Sequence, residues 1–380
     1  MIHHDAMVPL KRIGKYFLLK PDSAGDPDMY LGAKLRSVVT ANGVECWSLS
    51  PSKYVQEACK NCRQHLTENF DGKFALPKDA ANPFPVNFEP QIDTSAELGP
   101  DEASYFQSLV GIMRWMVEIG RVDIAVECSL LSSHLALPRE NHLHACIHVM
   151  RYLELHHNTR LFFDPTRPVV DEGNFDNGAN WKDFYGDIEE AIPEDAPEPR
   201  GKSVVLRAMV DSDHAGDKET RRSRTGFVIF MNLALITWMS KKQATVESSV
   251  FGAEFVAMKH CVEELRALRY KLRMMGVPLE GATFVFGDNM SVITNTSKPV
   301  STLKKKSNSI CYHAVREAVA MGECVTGHIR THFNYADLLT KALSGVIRRR
   351  LVHGLLYDIY DDHQKRVSWN SQTQVRTFVP

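Results

Sequence analysis

Five acids stand out first, because carboxylate oxygens gathered at strand ends are the hard ligands that hold a divalent ion. The stretch "VLRAMVDSDHAGDKETRRSRTGFVIF", residues 205–230, ends an apolar run on Asp211 and Asp213. Two apart on a strand, these point to one face; a polar turn before Gly216 accounts for them as well. Glu254 falls on the apolar stripe of Phe251, Met258, Cys261 and Leu265 in a long helical pattern. A lone carboxylate there is costly unless it is paired, binds metal or reaches water at the stripe edge. Asp288 closes the apolar run "TFVFGD" just before a helix, which suits a ligand position at a strand end or a helix cap. Asp337 lies in the first turn of the helix in "FNYADLLTKAL", capped by Asn334, where an acid also complements the helix dipole. Lys218, Arg221, Arg222 and Arg224 crowd the turn that follows the first two acids. Bases so placed suit phosphate.

The elements that must position these residues are legible from periodicity. "SVVLRAMVD", "GFVIFMN" and "LALITWMS" read as three strands with short connections, an antiparallel meander. A long helix follows in "ESSVFGAEFVAMKHCVEELRALRYKLRMMG". Next come a strand at 282–287, a short helix, a basic loop, a helix near 307–320, a strand at 323–329 and closing helices. Such an order describes a mixed sheet with helices on its faces. Upstream, "GKYFLLK", "MYLGAKLRSVV" and "VECWSLS" read as short strands. A helix is expected from "SPSKYVQEACKNCRQHL", capped by Ser50 or Ser52. A Pro-rich loop covers 70–100, and helical patterns cover 101–119, 122–136 and 139–156. Residues 164–202 read as a connector that wraps or dangles.

The order Asp, Glu, Asp, Asp on strand, helix, strand end and helix start resembles ribonuclease H. The strings "DSDHAGDKETRRSRTGFVIF", "ITWMSKKQATVESSVFGAEFVAM", "FGDNMSVI", "KKKSNSICYHAVREAV" and "NYADLLTKAL" resemble its copia-type LTR retrotransposon branch. "DMYLGAKL", "SPSKYVQEA" and "YFQSLVGIMRWMVEIGRVDIAVECSLLSSHLALPRENHLHACIHVMRYL" resemble the last part of a copia reverse transcriptase. Residues 2–5 resemble the sequence just after the polymerase's Asp-Asp strand, and no Tyr-Val-Asp-Asp string occurs. The resemblance thus implies a C-terminal polyprotein fragment without polymerase activity.

The fold it implies is α/β, a ribonuclease H-like mixed five-stranded sheet flanked by helices, preceded by a partial α+β palm/thumb remnant. The expected units are a truncated reverse-transcriptase part (1–163), an acidic linker (164–202), a ribonuclease H-like domain (203–345), and a C-terminal helix and tail (346–380). The implied activity is Mg²⁺-dependent cleavage of RNA in RNA–DNA hybrids. Two Mg²⁺ (or Mn²⁺) ions are implied, one on Asp211, Glu254 and Asp288, the other on Asp211 with Asp337. The implied nucleic-acid contacts are Arg221, Arg222, Arg224, Lys241, Lys242, Asn289, Lys304, Lys305 and Lys306. Asp213, His328 and His332 are candidate accessory groups, the histidines standing near the place of a mobile histidine found in many ribonucleases H. The partner besides the hybrid would be the rest of the polyprotein. The rival from another class is a non-catalytic nucleic-acid-binding relic. An integrase, which shares the fold, would want a final Glu soon after the second Asp.

Composition bounds these readings. The chain has 380 residues, 44% apolar and net charge −1. Residues 1–200 hold 19 bases against 30 acids, −11, while 201–380 hold 26 against 16, +10. A basic half after an acidic connector suits a polyanionic partner. No apolar run approaches the ~20 residues of a membrane helix, and the N-terminus lacks a signal-peptide layout. Eight scattered cysteines suit a reducing compartment. An intracellular setting is expected, cytoplasmic, nuclear or in a virus-like particle. Cys59, Cys62 and His65 lack a second pair and fit a helix better than a zinc site. His144 and His148, flanked by His142 and Cys146, fit a surface or groove-facing helix better than a metal pair.

Overall fold

The computed structural model describes residues 12–18, 27–40, 42–70, 72–85, 87–171, 173, 175, 178–303, 306–343 and 345–359. The first sheet is antiparallel, ordered β1 (Met29–Tyr30), β2 (Ala33–Val39), β3 (Glu45–Ser50), β4 (Leu161–Phe163). Helices α1 (Ser52–Asn69), α2 (Pro100–Glu118), α3 (Ala125–Leu131) and α4 (Glu140–Leu155) pack a shared core on Phe106, Met113, Ile147 and Leu153.

Three local expectations change. Residues 14–17 of "GKYFLLK" form a turn, with Tyr16 and Phe17 N–H donating to the Ile13 carbonyl; Leu19 and Lys20 lie outside the described residues. Helix α1 starts after Pro51 with no side-chain cap on that residue; Ser50 Oγ donates to the Thr159 carbonyl at 2.8 Å and accepts the Ser52 N–H at 3.4 Å. The 122–136 pattern divides into α3 between two 3-10 turns.

The second sheet runs β7 (Ala234–Lys242), β6 (Arg224–Met231), β5 (Leu206–Asp213), β8 (Thr283–Gly287), β9 (Cys324–His328). β5, β6 and β7 are antiparallel; β8 and β9 join parallel to β5. This is the ribonuclease H-like mixed sheet that the sequence implies. Alternation along the central strands sorts the two faces. Ala208, Val210, Phe227 and Ile229 meet α5 (Val250–Met274) through Phe255, Met258, Cys261 and Leu265. Met209, Val228 and Phe230 share the other core with Leu338, Leu339, Leu351 and Val352, from α8 (Asp337–Thr340) and α9 (Gly345–Leu355). That second core also takes in Leu49, Ile119, Val122 and Leu161 of the first half, so one apolar cluster crosses the length of the chain. Helices α6 (Met290–Ser297) and α7 (Ser309–Ala320) complete the α5 side.

The acidic connector wraps. Phe175 lies against Phe284 and Phe286 and sits where a Cβ on Gly327 would be, 2.6 Å from its ring. Arg316 stands over the Trp181 ring at 4.8 Å. Glu190 receives Arg269 in two bonds of 2.8 and 2.7 Å, and Arg273 as well. These guanidinium bonds pull the Glu190 carboxyl down to about 2 despite its partial burial.

Candidate metal centre

β5 and β8 are parallel, so their C-terminal ends finish side by side, Met209 in register with Phe286. Asp211 lies two residues before the end of one and Asp288 follows the other, which is where ligand sites form in open α/β sheets. Glu254 arrives from α5 on the opposite face and reaches the strand end. The ligand oxygens of Asp211, Glu254 and Asp288 all lie within 4.8 Å of one another. Among the described residues this is the one cluster of three or more His, Cys, Asp or Glu side chains close enough to share an ion.

Asp337 approaches from the other face, and a glycine lets it. Gly226 is the register partner of Asp211. A Cβ there would meet Leu339 Cβ at 2.8 Å and the Ala336 carbonyl at 2.9 Å, so α8 lies directly on the β6 backbone. Asn334 pins the approach by donating to the Val210 carbonyl at 3.0 Å while its own Oδ1 accepts Ala336 N–H at 3.1 Å. Thr340 then donates its hydroxyl to Asp211 Oδ2. Lys341 Nζ stands 3.3 Å from Asp211 Oδ2 and 3.1 Å from Asp337 Oδ1.

The electrostatics follow from crowding. Burial first, then the charges of Asp211 and Asp288, push the Glu254 carboxyl up to about 9. Burial and Asp211 push Asp337 up to about 7, against the pull of Lys341. Asp288 is raised for the same reasons, with Thr331 Oγ1 donating to its Oδ2 at 2.9 Å as partial relief. Like charges this close keep protons unless a cation neutralises them. Three converging carboxylates, Asp211, Glu254 and Asp288, are a donor set that fits a hard divalent ion.

The remaining sequence candidates fall elsewhere. Asp213 is absorbed by the turn: its carboxylate accepts Arg224 N–H, and burial pushes it up to about 6. Arg224 is buried with its guanidinium donating to Ser129, so it does not offer itself to phosphate. Lys242 is committed to Asp217 at 2.9 Å. Asn289 caps α6, its Oδ1 accepting Ser291 and Val292 N–H. Arg221, Arg222, Lys241 and Lys306 are exposed; Lys304 and Lys305 lie outside the described residues. His328 is half-buried at the end of β9, and His332 is exposed with its carbonyl held by Arg350. Cys59 and Cys62 are buried among apolar groups, while His65 stacks on Tyr105 at 4.0 Å. His142, expected on a surface or groove-facing helix, is buried with Nε2 2.9 Å from the Pro90 carbonyl. Lys341, Thr340 and Thr331 are the groups that the sequence reading passed over. The signal for Lys341 was its spacing, four residues after Asp337 on a helical turn.

No family model matches the chain. Over 269 residues it is 26% identical to the retrovirus-related Pol polyprotein from transposon RE2 of Arabidopsis thaliana, covering 71% of this chain and 16% of that protein. Over 321 residues it is 25% identical to the corresponding polyprotein from transposon TNT 1-94 of Nicotiana tabacum, covering 84% and 21%. The chain is a homologue of transposon Pol polyproteins. It spans about a fifth or less of the length of these relatives. Among solved structures, LC11-RNase H1 in complex with an RNA/DNA hybrid aligns at 18% identity and a TM-score of 0.29, over 36% of this chain and 93% of its own.

Proposed function

We propose that the Leu206–Thr340 part of this Pol homologue is a divalent-metal-dependent endonuclease that cuts the RNA strand of RNA–DNA hybrids. The observation that carries this reading is the convergence of Asp211, Glu254 and Asp288 from a central strand, a helix and a parallel neighbour. Asp211, Glu254 and Asp288 would hold one Mg²⁺ or Mn²⁺, and Asp211 with Asp337 a second. The chemistry such ions supply is activation of a water at neutral pH and stabilisation of the leaving oxygen. The chain's own part is orientation. Thr340 fixes Asp211 and Thr331 fixes Asp288. Exposed Arg221, Arg222, Lys241 and Lys306 would carry the duplex through its phosphates. Choice of the RNA strand would rest on 2′-hydroxyl contacts across a shallow minor groove.

The test is incubation of the purified chain with end-labelled hybrid, duplex DNA and duplex RNA, with Mg²⁺, Mn²⁺ or chelator. Metal-dependent cutting confined to the RNA of the hybrid is expected. Hybrid binding with no cutting under any metal would instead make the chain a nucleic-acid-binding relic.

A further inference from the structure

The place between Asp211 and Asp337 is already taken by a cation of the chain itself. Lys341 Nζ lies 3.3 Å from Asp211 Oδ2 and 3.1 Å from Asp337 Oδ1. Asp211 Oδ2 also accepts the Thr340 hydroxyl. A carboxylate oxygen with two acceptor sites is filled by that hydroxyl and that ammonium. Any further ion on Asp211 Oδ2 must therefore displace one of them. Asp211 and Asp337 are buried, whereas the Lys341 side chain is 43% exposed and ends a helix at an extended residue. The acids cannot leave, but the lysine has an open path to water. Its flexible four-carbon stem makes that withdrawal a rotamer change with no backbone rearrangement.

We infer that Lys341 is a tethered counter-ion which occupies the Asp211–Asp337 position in the resting protein, so that one divalent ion binds at Asp211, Glu254 and Asp288 and a second enters only when Lys341 withdraws. The inference rests on the metal reading given above. An ammonium with three donors bridges two carboxylates as an ion would. It also keeps the buried pair from repelling in the absence of metal. Withdrawal would be favoured by a competing anion, and a phosphate of bound nucleic acid is the anion available. Lys341 then passes from one anion to another, leaving the two acids to the second ion.

The experiment counts Mn²⁺ ions bound without nucleic acid, by electron paramagnetic resonance of free Mn²⁺ and by calorimetry. The parent chain is expected to take one ion in the micromolar-to-millimolar range of the titration. Lys341→Ala and Lys341→Met are expected to take two, the second at least roughly ten-fold tighter than in the parent, since a cation has been removed from beside two carboxylates. Lys341→Arg, which keeps the charge, should stay at one. Circular dichroism accompanies each variant, and the Met variant preserves the apolar stem should the Ala variant lose structure. Two ions of similar affinity in the parent, or one ion in both the Ala and Met variants, would overturn the inference. Asp288→Asn separates the two readings. If that variant binds the first ion as the parent does, the metal centre itself is misassigned; if it loses the ion while Lys341→Ala gains none, only the role of Lys341 fails.

Discussion

Asp211 is the acid on which the others converge: it is buried, shares an ion-sized space with Glu254 and Asp288, and is tied to Thr340 and Lys341. Its neighbours are held in an unfavourable state without metal, so on the proposed reading metal binding would be a stability term as well. Asp288→Asn removes one of the repelling charges and one ligand. Without metal this variant should melt higher than the parent, by roughly 2 °C or more. With Mg²⁺ or Mn²⁺ the order should reverse, because the parent gains a ligand-linked increment that the variant lacks. Hybrid cutting should fall on the order of a hundred-fold or more, as when one preorganised electrostatic group is removed. Differential scanning fluorimetry with and without Mn²⁺ reads the first two effects, and a lower metal-free melting point in the variant would contradict the repulsion account.

At the scale of elements, the site depends on how closely α8 lies on β6. Gly226→Ala places a methyl 2.8 Å from both Leu339 Cβ and Thr340 Cγ2, so α8 must lift away. Overpacking of this kind costs about 1–3 kcal/mol. The lift also draws Thr340, Lys341 and Asp337 away from Asp211. The expected outcome is a lower urea midpoint together with weaker cutting, and an unchanged midpoint would show that α8 has room to spare. This dependence marks the limit of what the sequence displays. The strands of the second sheet and the long helix were legible because alternation and the three-four stripe repeat clearly over "SVVLRAMVD" and "FGAEFVAMKHCVEEL". Glu254 was legible as an anomaly on an apolar stripe. β4 was not, since "LFF" is three residues without a period and is a strand only because β3 lies beside it. The burial of Arg224 was hidden too: a base in a basic turn reads as surface until Ser129, 95 residues away, supplies its partner. The connector's path was equally invisible, because Phe175 needs the bare backbone of Gly327 to pack on. Glu190→Gln removes the charge that Arg269 and Arg273 share. Limited proteolysis should then cut the 164–202 segment several-fold faster, with rates matching the parent if the strap is held by its apolar contacts alone.

The whole molecule is joined by a buried polar seam. Arg121 holds Asp123 in two 2.8 Å bonds, Tyr152 donates to Asp123 Oδ2 at 2.9 Å, and Arg348 from α9 donates to Tyr152 Oη at 3.0 Å and to the Asp123 carbonyl at 2.6 Å. Helix α9 thus closes the second sheet's core and plugs its guanidinium into the first half. Glu127 is buried beside this network, and its Oε2 has no hydrogen-bond partner among the described residues. Burial pushes its carboxyl up to about 7, with Arg348 pulling back only in part. A carboxyl raised in the fold binds a proton that the unfolded chain releases at lower pH. Its contribution is therefore full below the ordinary carboxylate range and is lost as pH rises through about 7. Glu254 and Asp337 are raised as well, so they add a loss of the same sign in the metal-free protein. Metal separates the two sources. Saturating Mg²⁺ should flatten the part of the pH slope that belongs to the carboxylate cluster and leave the seam's part. Glu127→Gln should do the opposite, removing the seam's part whether or not metal is present. The difference in stability between that variant and the parent should grow in the variant's favour from pH 5 to pH 8, by on the order of 3 kcal/mol at most. Urea midpoints across that range, with and without Mg²⁺, measure both slopes. A variant that tracks the parent at every pH would mean that water or Arg348 keeps Glu127 ionised, and that the seam is an ion network of full charge, not one that shares a proton.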